Sequence, residues 1–194
     1  LNPERLNPDT MPPTDNKNIV AEIFRYHEET KHHYERYARS PGHMDWQNQP
    51  NPFRFYEKTQ VIDLPLLKDC PRAEYADLYR RNSNQQLGFT IETIAGFLEL
   101  SLGLSAWKAV GKSRWSLRMT PSSGNLHPTE AHLVLPHFSR VPGGVYHYNA
   151  FTHALEQRAE ICDETGQQVA LHFGCQGFMI GFSSIFWRES WKYG

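Results

Sequence analysis

The sequence predicts an α+β domain, and three observations carry that prediction. Thr90–Ser101 repeats apolar residues at helical spacing. Residues 130–135 and 144–149 are short strand-like runs on either side of a Pro-Gly-Gly turn region at 142–144. Phe178–Phe186 is dense in apolar and aromatic residues and flanked by polar ones, the signature of a central strand. Helices combined with a small, mostly antiparallel sheet make the class α+β.

Each element follows from local chemistry. Residues 1–14 hold four prolines and little apolar material, which predicts a loose tail. Ile19, Val20, Ile23, Phe24 and His27 then recur at helical spacing, with Asp15 or Asn18 as N-cap, and the helix is expected to run to about Tyr37 before Ser40-Pro41-Gly42 stops it. Residues 41–66 add four prolines to Trp46, Phe53, Phe55 and Tyr56. That composition predicts an extended arm lying in a groove, because so many exposed aromatics are costly. Arg72–Arg81 reads as a short helix with Tyr75 and Leu78 on one face.

In the helix that follows, Ile91, Ile94, Ala95, Leu98 and Ser101 form the inward stripe and Gly103 ends it. Thr90 is the candidate N-cap; Thr93 stands where a capping box has Glu, so the cap reads as incomplete. Glu160–Gln168 reads as a polar connection, and Val169–Phe173 fits a strand or a helical turn equally. The organisation expected is a flexible tail over 1–17, a helix and aromatic arm over 18–66, and the main α+β portion over 67–194.

Composition excludes several function classes. Twenty basic and twenty-one acidic residues leave a net charge of −1, which argues against a uniform basic field for nucleic acid or an anionic membrane. Cys70, Cys162 and Cys175 are widely spaced and form no CxxC, so neither a disulfide framework nor a zinc knuckle is implied, and the default compartment is a reducing cytoplasm. No apolar stretch approaches the roughly 20 residues of a membrane span. A chain of 194 residues buries about 70% of its unfolded surface, enough for one substantial core.

The ten histidines show no metal-ligand spacing, and no metal is expected. His32 and His33 point different ways on a helix, a proline separates His127 from His132, and His147 and His153 sit on a hairpin without a third partner. They read as satisfied or surface histidines. Gly144–Tyr148 reads as a strand in carboxylate-poor surroundings, with no general-acid pair.

The segment Arg118-Met-Thr-Pro-Ser-Ser-Gly-Asn-Leu-His-Pro-Thr-Glu130 is different in kind. Two prolines, a glycine, an asparagine and four hydroxyls break regular structure immediately before the apolar run Ala131–Leu135. The segment is either a rigid surface turn or a loop that holds an anionic or heteroaromatic ligand with hydroxyls and a guanidinium fork.

This segment closely resembles the flavin-contacting loop of the nitroreductase superfamily, in particular its branch of streptolysin-type thiazole/oxazole-forming peptide dehydrogenases. Further pieces agree in order: Tyr26–His32, Met44–Pro50, Arg80-Arg-Asn-Ser83, Gly144–Tyr148 with His153–Glu156, and Trp191-Lys-Tyr-Gly194. The resemblance covers about residues 19–194. It implies an FMN-dependent nitroreductase-like fold whose C-terminal part is missing from this chain, since Trp187–Gly194 opens a helix and stops. The expected partners are therefore the remainder of the domain, as a separate chain or second subunit, a homodimer mate, and a peptide or small-molecule substrate.

Carried over by the resemblance, Arg118, Pro121, Ser122, Ser123, Gly124, Asn125 and Leu126 lie along the FMN ring and ribityl chain. Arg80, Arg81 and Ser83 meet its phosphate, although on their own the two arginines equally suit the dipole of a helix C-terminus. The sequence departs from the family where a second arginine is expected after the serine and Asn84, Gln85 and Gln86 stand instead. Lys192 and Tyr193 resemble the lysine–tyrosine pair implied as base in azoline dehydrogenation, a reaction that removes a ring proton while the flavin accepts hydride. Two functions remain: an FMN-dependent oxidoreductase, or a degenerate nitroreductase-like scaffold or peptide-binding domain.

Overall fold

A computed structural model describes residues 16–69, 74–79, 87–172 and 177–194. The chain divides into two compact units, residues 45–191 and residues 1–44 with 192–194.

In the smaller unit α1 spans Asn16–Thr30. It ends a full two turns before the expected Tyr37, and the reason is local. Arg36 turns back and donates to the carbonyls of Glu28 and Glu29 at 2.8 and 3.1 Å, and His33 Nε2 donates to Glu28 at 2.9 Å. These side chains satisfy the orphan carbonyls of the last turn, so no proline is needed to stop the helix.

The larger unit is built on a five-stranded, wholly antiparallel sheet. In chain order its strands are β1 (Val61–Asp63), β4 (Thr129–Leu135), β5 (Gly144–Asn149), β6 (Ala154–Glu160) and β7 (Met179–Ser184), arranged β1-β6-β5-β4-β7. A separate hairpin joins β2 (Leu104–Val110) to β3 (Ser113–Arg118). Three further helices are α2 (Ile91–Leu102), α3 (Asp163–His172) and α4 (Phe186–Tyr193).

The sheet has two chemically distinct faces, as period-2 alternation demands. Ala131, Leu133 and Leu135 of β4, Tyr146 and Tyr148 of β5, and Leu155 of β6 share one core with Ile94, Ala95 and Leu98 of α2. The intervening residues Glu130, His132, His147, Asn149 and Glu156 fall on the other face. The arm covers part of it: Tyr56 stands edge-on to His147, with ring centres 5.1 Å apart.

Several expectations are corrected. The α2 cap is complete: Thr93 N–H donates to Thr90 Oγ1 at 3.3 Å, while Thr93 Oγ1 accepts from Thr90 N–H at 3.0 Å, so a threonine fills the role usually given to Glu. The polar connection at 160–168 is largely helix, because α3 begins at Asp163 and continues through the ambiguous residues 169–172. The turn between β4 and β5 closes at Phe138 and Val141, whose main chains exchange both hydrogen bonds, rather than at 142–144. Tyr75–Tyr79 is a 3-10 turn; the remainder of the helix expected at 72–81 lies outside the described residues.

The most consequential correction is β7. Among the described strands it sits at the sheet edge, paired only with β4, and Phe182 is 61% exposed. A run rich in apolar residues reads the same in a buried strand and in an edge strand with an open face.

Candidate functional site

Residues 118–128 connect the end of β3 to the start of β4 and are stitched to the C-terminus of α2. Met119 N–H donates to Gly103 at 2.9 Å and Thr120 Oγ1 donates to Ser101 at 2.6 Å, occupying carbonyls at the helix end. Ser122–Asn125 closes a 3-10 turn through Asn125 N–H to Ser122 at 3.0 Å. Gly124 takes the left-handed region at φ 66°, followed by Asn125 at φ 58° and His127 at φ 47°. Ser122 Oγ accepts from His127 N–H at 2.9 Å, and Asn125 Oδ1 accepts from His127 Nε2 at 2.9 Å. The loop is therefore held by its own hydroxyl and amide.

It walls a cavity of about 380 Å³, within the range of small-molecule sites. Arg118, Ser122, His127, Glu130, Tyr148 and Phe182 line it together with their neighbours. Arg118 Nη2 donates to the carbonyl of Pro52, and the guanidinium lies 4.9 Å from the Phe53 ring centre. Its Nε is buried with no hydrogen-bond partner. Burial lowers the Arg118 pKa from its ordinary value, and burial likewise raises that of Tyr148, whose hydroxyl donates to His153 Nδ1 at 2.9 Å. His127 is pushed down from 6.5 to about 4, by burial first and then by the nearby charges of Arg118 and Arg188. At neutral pH it contributes polarity to the wall but no charge.

Behind the wall runs a buried chain of charged groups. Arg188 of α4 donates through Nη1 to Glu130 Oε1 and to the carbonyl of His127. His147 bridges two carboxyls, its Nε2 hydrogen-bonded with Glu130 Oε2 and its Nδ1 with Glu156 Oε2, both at 2.8 Å. Asn149 Nδ2 donates to Glu156 Oε1 at 2.8 Å. This overturns the carboxylate-poor reading of the β5 strand: antiparallel pairing brings Glu130 and Glu156 from the flanking strands onto the face of His147. Burial raises the Glu130 pKa, but the hydrogen bonds from His147 and Arg188 outweigh it, and the carboxyl ends below its ordinary value.

Of the residues carried over from the resemblance, Arg118, Pro121 and Ser122 line the cavity. Gly124, Asn125 and Leu126 line a neighbouring groove of about 750 Å³ instead. Ser123 lies in the turn between. Arg80, Arg81 and Ser83 lie outside the described residues. Lys192 and Tyr193 end α4 and belong to the smaller unit, where the Lys192 ammonium stands 5.4 Å from the Tyr193 ring centre. Sequence reasoning missed His127, Glu130, Tyr148, Phe182 and Arg188. The signal for Glu130 was its even spacing from His132, which puts both on one face of β4.

No family model matches the chain, and no curated protein does. Among solved structures it is similar to a candidate nitroreductase from Anabaena variabilis, with a crystal structure at 1.80 Å resolution, at 27% sequence identity and a TM-score of 0.64. The match covers 87% of this chain and 32% of that one, so this chain spans about a third of that protein's length. The architecture is an α+β fold resembling the nitroreductase superfamily. No described helix is long and apolar enough to cross a membrane.

Proposed function

We propose that this chain carries the flavin-binding portion of an FMN-dependent oxidoreductase of nitroreductase type. The observation that carries the reading is Arg118, whose buried Nε has no partner at the wall of a ligand-sized cavity. A cation left with a spare donor in such a place suits an electron-rich acceptor. The residues fit the cofactor: Arg118 would hold the carbonyl edge of the ring or the phosphate, and the Ser122 and Thr120 side chains lie on the same wall. Ser123, Gly124, Asn125 and Leu126 would continue the ribityl side, and Arg80, Arg81 and Ser83 would take the phosphate. When bound, FMN supplies a two-electron acceptor or donor. The uncharged His127 imidazole and the neutral Tyr148 phenol add no charge to a wall that already holds Arg118 and the Glu130 carboxylate.

Arg118→Ala is the direct test. Loss of a charge-assisted contact should weaken FMN binding by about 1–3 kcal/mol, or roughly 5- to 150-fold. Fluorescence titration of apo-protein reads it, and equal dissociation constants for variant and parent would remove Arg118 from the site.

The finer reading is dehydrogenation of peptide azolines to azoles, supported by the Lys192-Tyr193 resemblance. Lys192 or Tyr193 would take a ring proton from the substrate. A Lys192→Ala/Tyr193→Phe variant with flavin bound should lose azoline oxidation by about 10²–10⁴, the usual worth of a positioned base. Reduction of a small nitroaromatic, which needs no such base, should barely change; if both rates hold, the pair is structural. A homodimer belongs to the same proposal, and sedimentation as a lone 22.5 kDa monomer at micromolar concentration would count against it.

One observation favours a non-enzymatic scaffold: Asn84, Gln85 and Gln86 stand where the family has its second phosphate-binding arginine. An absorbance scan of the isolated protein separates the readings, since bound oxidised flavin absorbs in the blue.

A further inference from the structure

The groove beside the cavity is built from three segments of the larger unit: arm residues 49–55, the β2–β3 hairpin, and residues 124–126 of the loop, with Phe151 closing one side. Its walls are aromatic. Phe53 and Phe55 meet Phe151 edge-on at 5.0 and 5.8 Å, and Trp107 meets it at 6.3 Å. Trp107, Phe55 and Phe151 nonetheless remain 42%, 48% and 47% exposed. The cluster therefore leaves a large fraction of its ring surface uncovered.

Among the polar side chains of the lining, which include Gln49, Asn51 and Asn125, two lie beside the Trp107 ring. Ser116, directly opposite Trp107 in the hairpin, is 98% buried by its 2% exposure, and its hydroxyl has no hydrogen-bond partner. Burying a hydroxyl without a partner is unfavourable, so such a group in a cavity wall marks a place for an outside donor or acceptor. The second is Arg114, which stacks 4.3 Å over the Trp107 ring. It is the one formally charged side chain among the described residues that line the groove, and no carboxylate lines it. The lining is thus aromatic and net positive.

We propose that this groove binds a flat aromatic anion of small-molecule size, a ring bearing a carboxylate. The ring lies against Trp107 and Phe151, the carboxylate faces Arg114, and the Ser116 hydroxyl meets a polar atom of the ligand. A volume of about 750 Å³ is the size of a small-molecule pocket, and guanidinium–carboxylate pairing over an indole face combines two favourable contacts. The inference goes beyond the flavin reading: it rests on Trp107, Arg114, Ser116 and Phe151, none of which that reading uses, and the two share only residues 124–126.

The test is calorimetric titration of the full chain with 2-naphthoate and with uncharged 2-naphthamide, without and with saturating FMN. Naphthoate should bind about tenfold more tightly than the amide, the order expected of one charge-assisted contact. Arg114→Gln should abolish that difference while leaving the amide unchanged. Ser116→Ala should weaken naphthoate severalfold without lowering the urea midpoint, since the hydroxyl it removes has no partner in the fold. Equal affinity for acid and amide, indifference to Arg114→Gln, or displacement of naphthoate by FMN would overturn the proposal. Tighter binding of the peptide acetyl-Gly-Asp-Phe-Gly-amide than of naphthoate would overturn the small-molecule assignment. If naphthoate binds as expected and FMN does not bind, the flavin reading fails alone.

Discussion

Replacing Arg188 with methionine isolates the energetics of the buried charge chain. Methionine keeps most of the side-chain length and has a helix propensity close to that of arginine, so α4 itself is little affected. Arg188 and Glu130 are 3% and 4% exposed, and one guanidinium nitrogen serves both Glu130 and the His127 carbonyl. Removing it strands a buried carboxylate on its remaining His147 contact and leaves a main-chain carbonyl without that donor. Breaking one partner of a buried pair costs about 3–5 kcal/mol. With a urea m-value of about 2 kcal/mol/M, the midpoint should fall by roughly 1.5–2.5 M.

The double variant Glu130→Gln/Arg188→Met should recover part of this, because a neutral amide costs less to leave unpaired than a carboxylate. A coupling energy of about 1–3 kcal/mol in the double-mutant cycle is expected. A midpoint shift below about 0.5 M for Arg188→Met would refute the reasoning, since an effect that small is characteristic of solvent-screened surface pairs.

Two further outcomes follow from groups near the loop. Because the folded His127 pKa lies near 4 rather than at 6.5, the unfolded chain binds the extra proton first, and stability should fall as pH drops from about 6.5 to about 4. His127→Asn, which tolerates φ 47°, should lack that segment in urea midpoints measured against pH. It should keep the loss at lower pH as Glu130, held below its ordinary pKa, is protonated. Gly103→Ala should destabilise by about 1–3 kcal/mol, as overpacking does, because the added carbon would lie 2.6 Å from the Glu99 carbonyl oxygen. A thermal midpoint equal to the parent's would show that the helix end yields instead.

The helix α2 and the strands β4 and β5 were legible because each writes its period plainly: Ile94, Ala95 and Leu98 on one stripe, Ala131, Leu133 and Leu135 on one face. The β2–β3 hairpin was missed although Val110-Gly111-Lys112-Ser113 holds a two-residue turn with Gly111 at φ 57°. Trp107 and Trp115 lacked the tidy alternation that advertises a half-buried strand. The end of α1 depends on where Arg36 folds back, a conformation rather than a pattern. In the site, the loop motif pointed to Arg118, Pro121 and Ser122. The Glu130–His147–Glu156 alignment required strand register, which composition does not reveal until the pairing is known.

Arg118 holds the arm and the cavity with a single side chain. Its guanidinium is fixed on one side by the Pro52 carbonyl and the Phe53 ring, while its unpartnered Nε lies at the cavity wall. The same arm residues form a wall of the aromatic groove, and Gly124–Leu126 of the cavity's loop form another. The two hollows therefore share structural members, much as adjoining rooms share a beam. A displacement of Pro52–Phe53 cannot widen the groove without also loosening the guanidinium. Conversely, a ligand that draws the guanidinium toward itself tensions the arm. The two hollows are joined through the Pro52 carbonyl and the 118–126 loop by covalent and hydrogen-bonded connections only a few residues long.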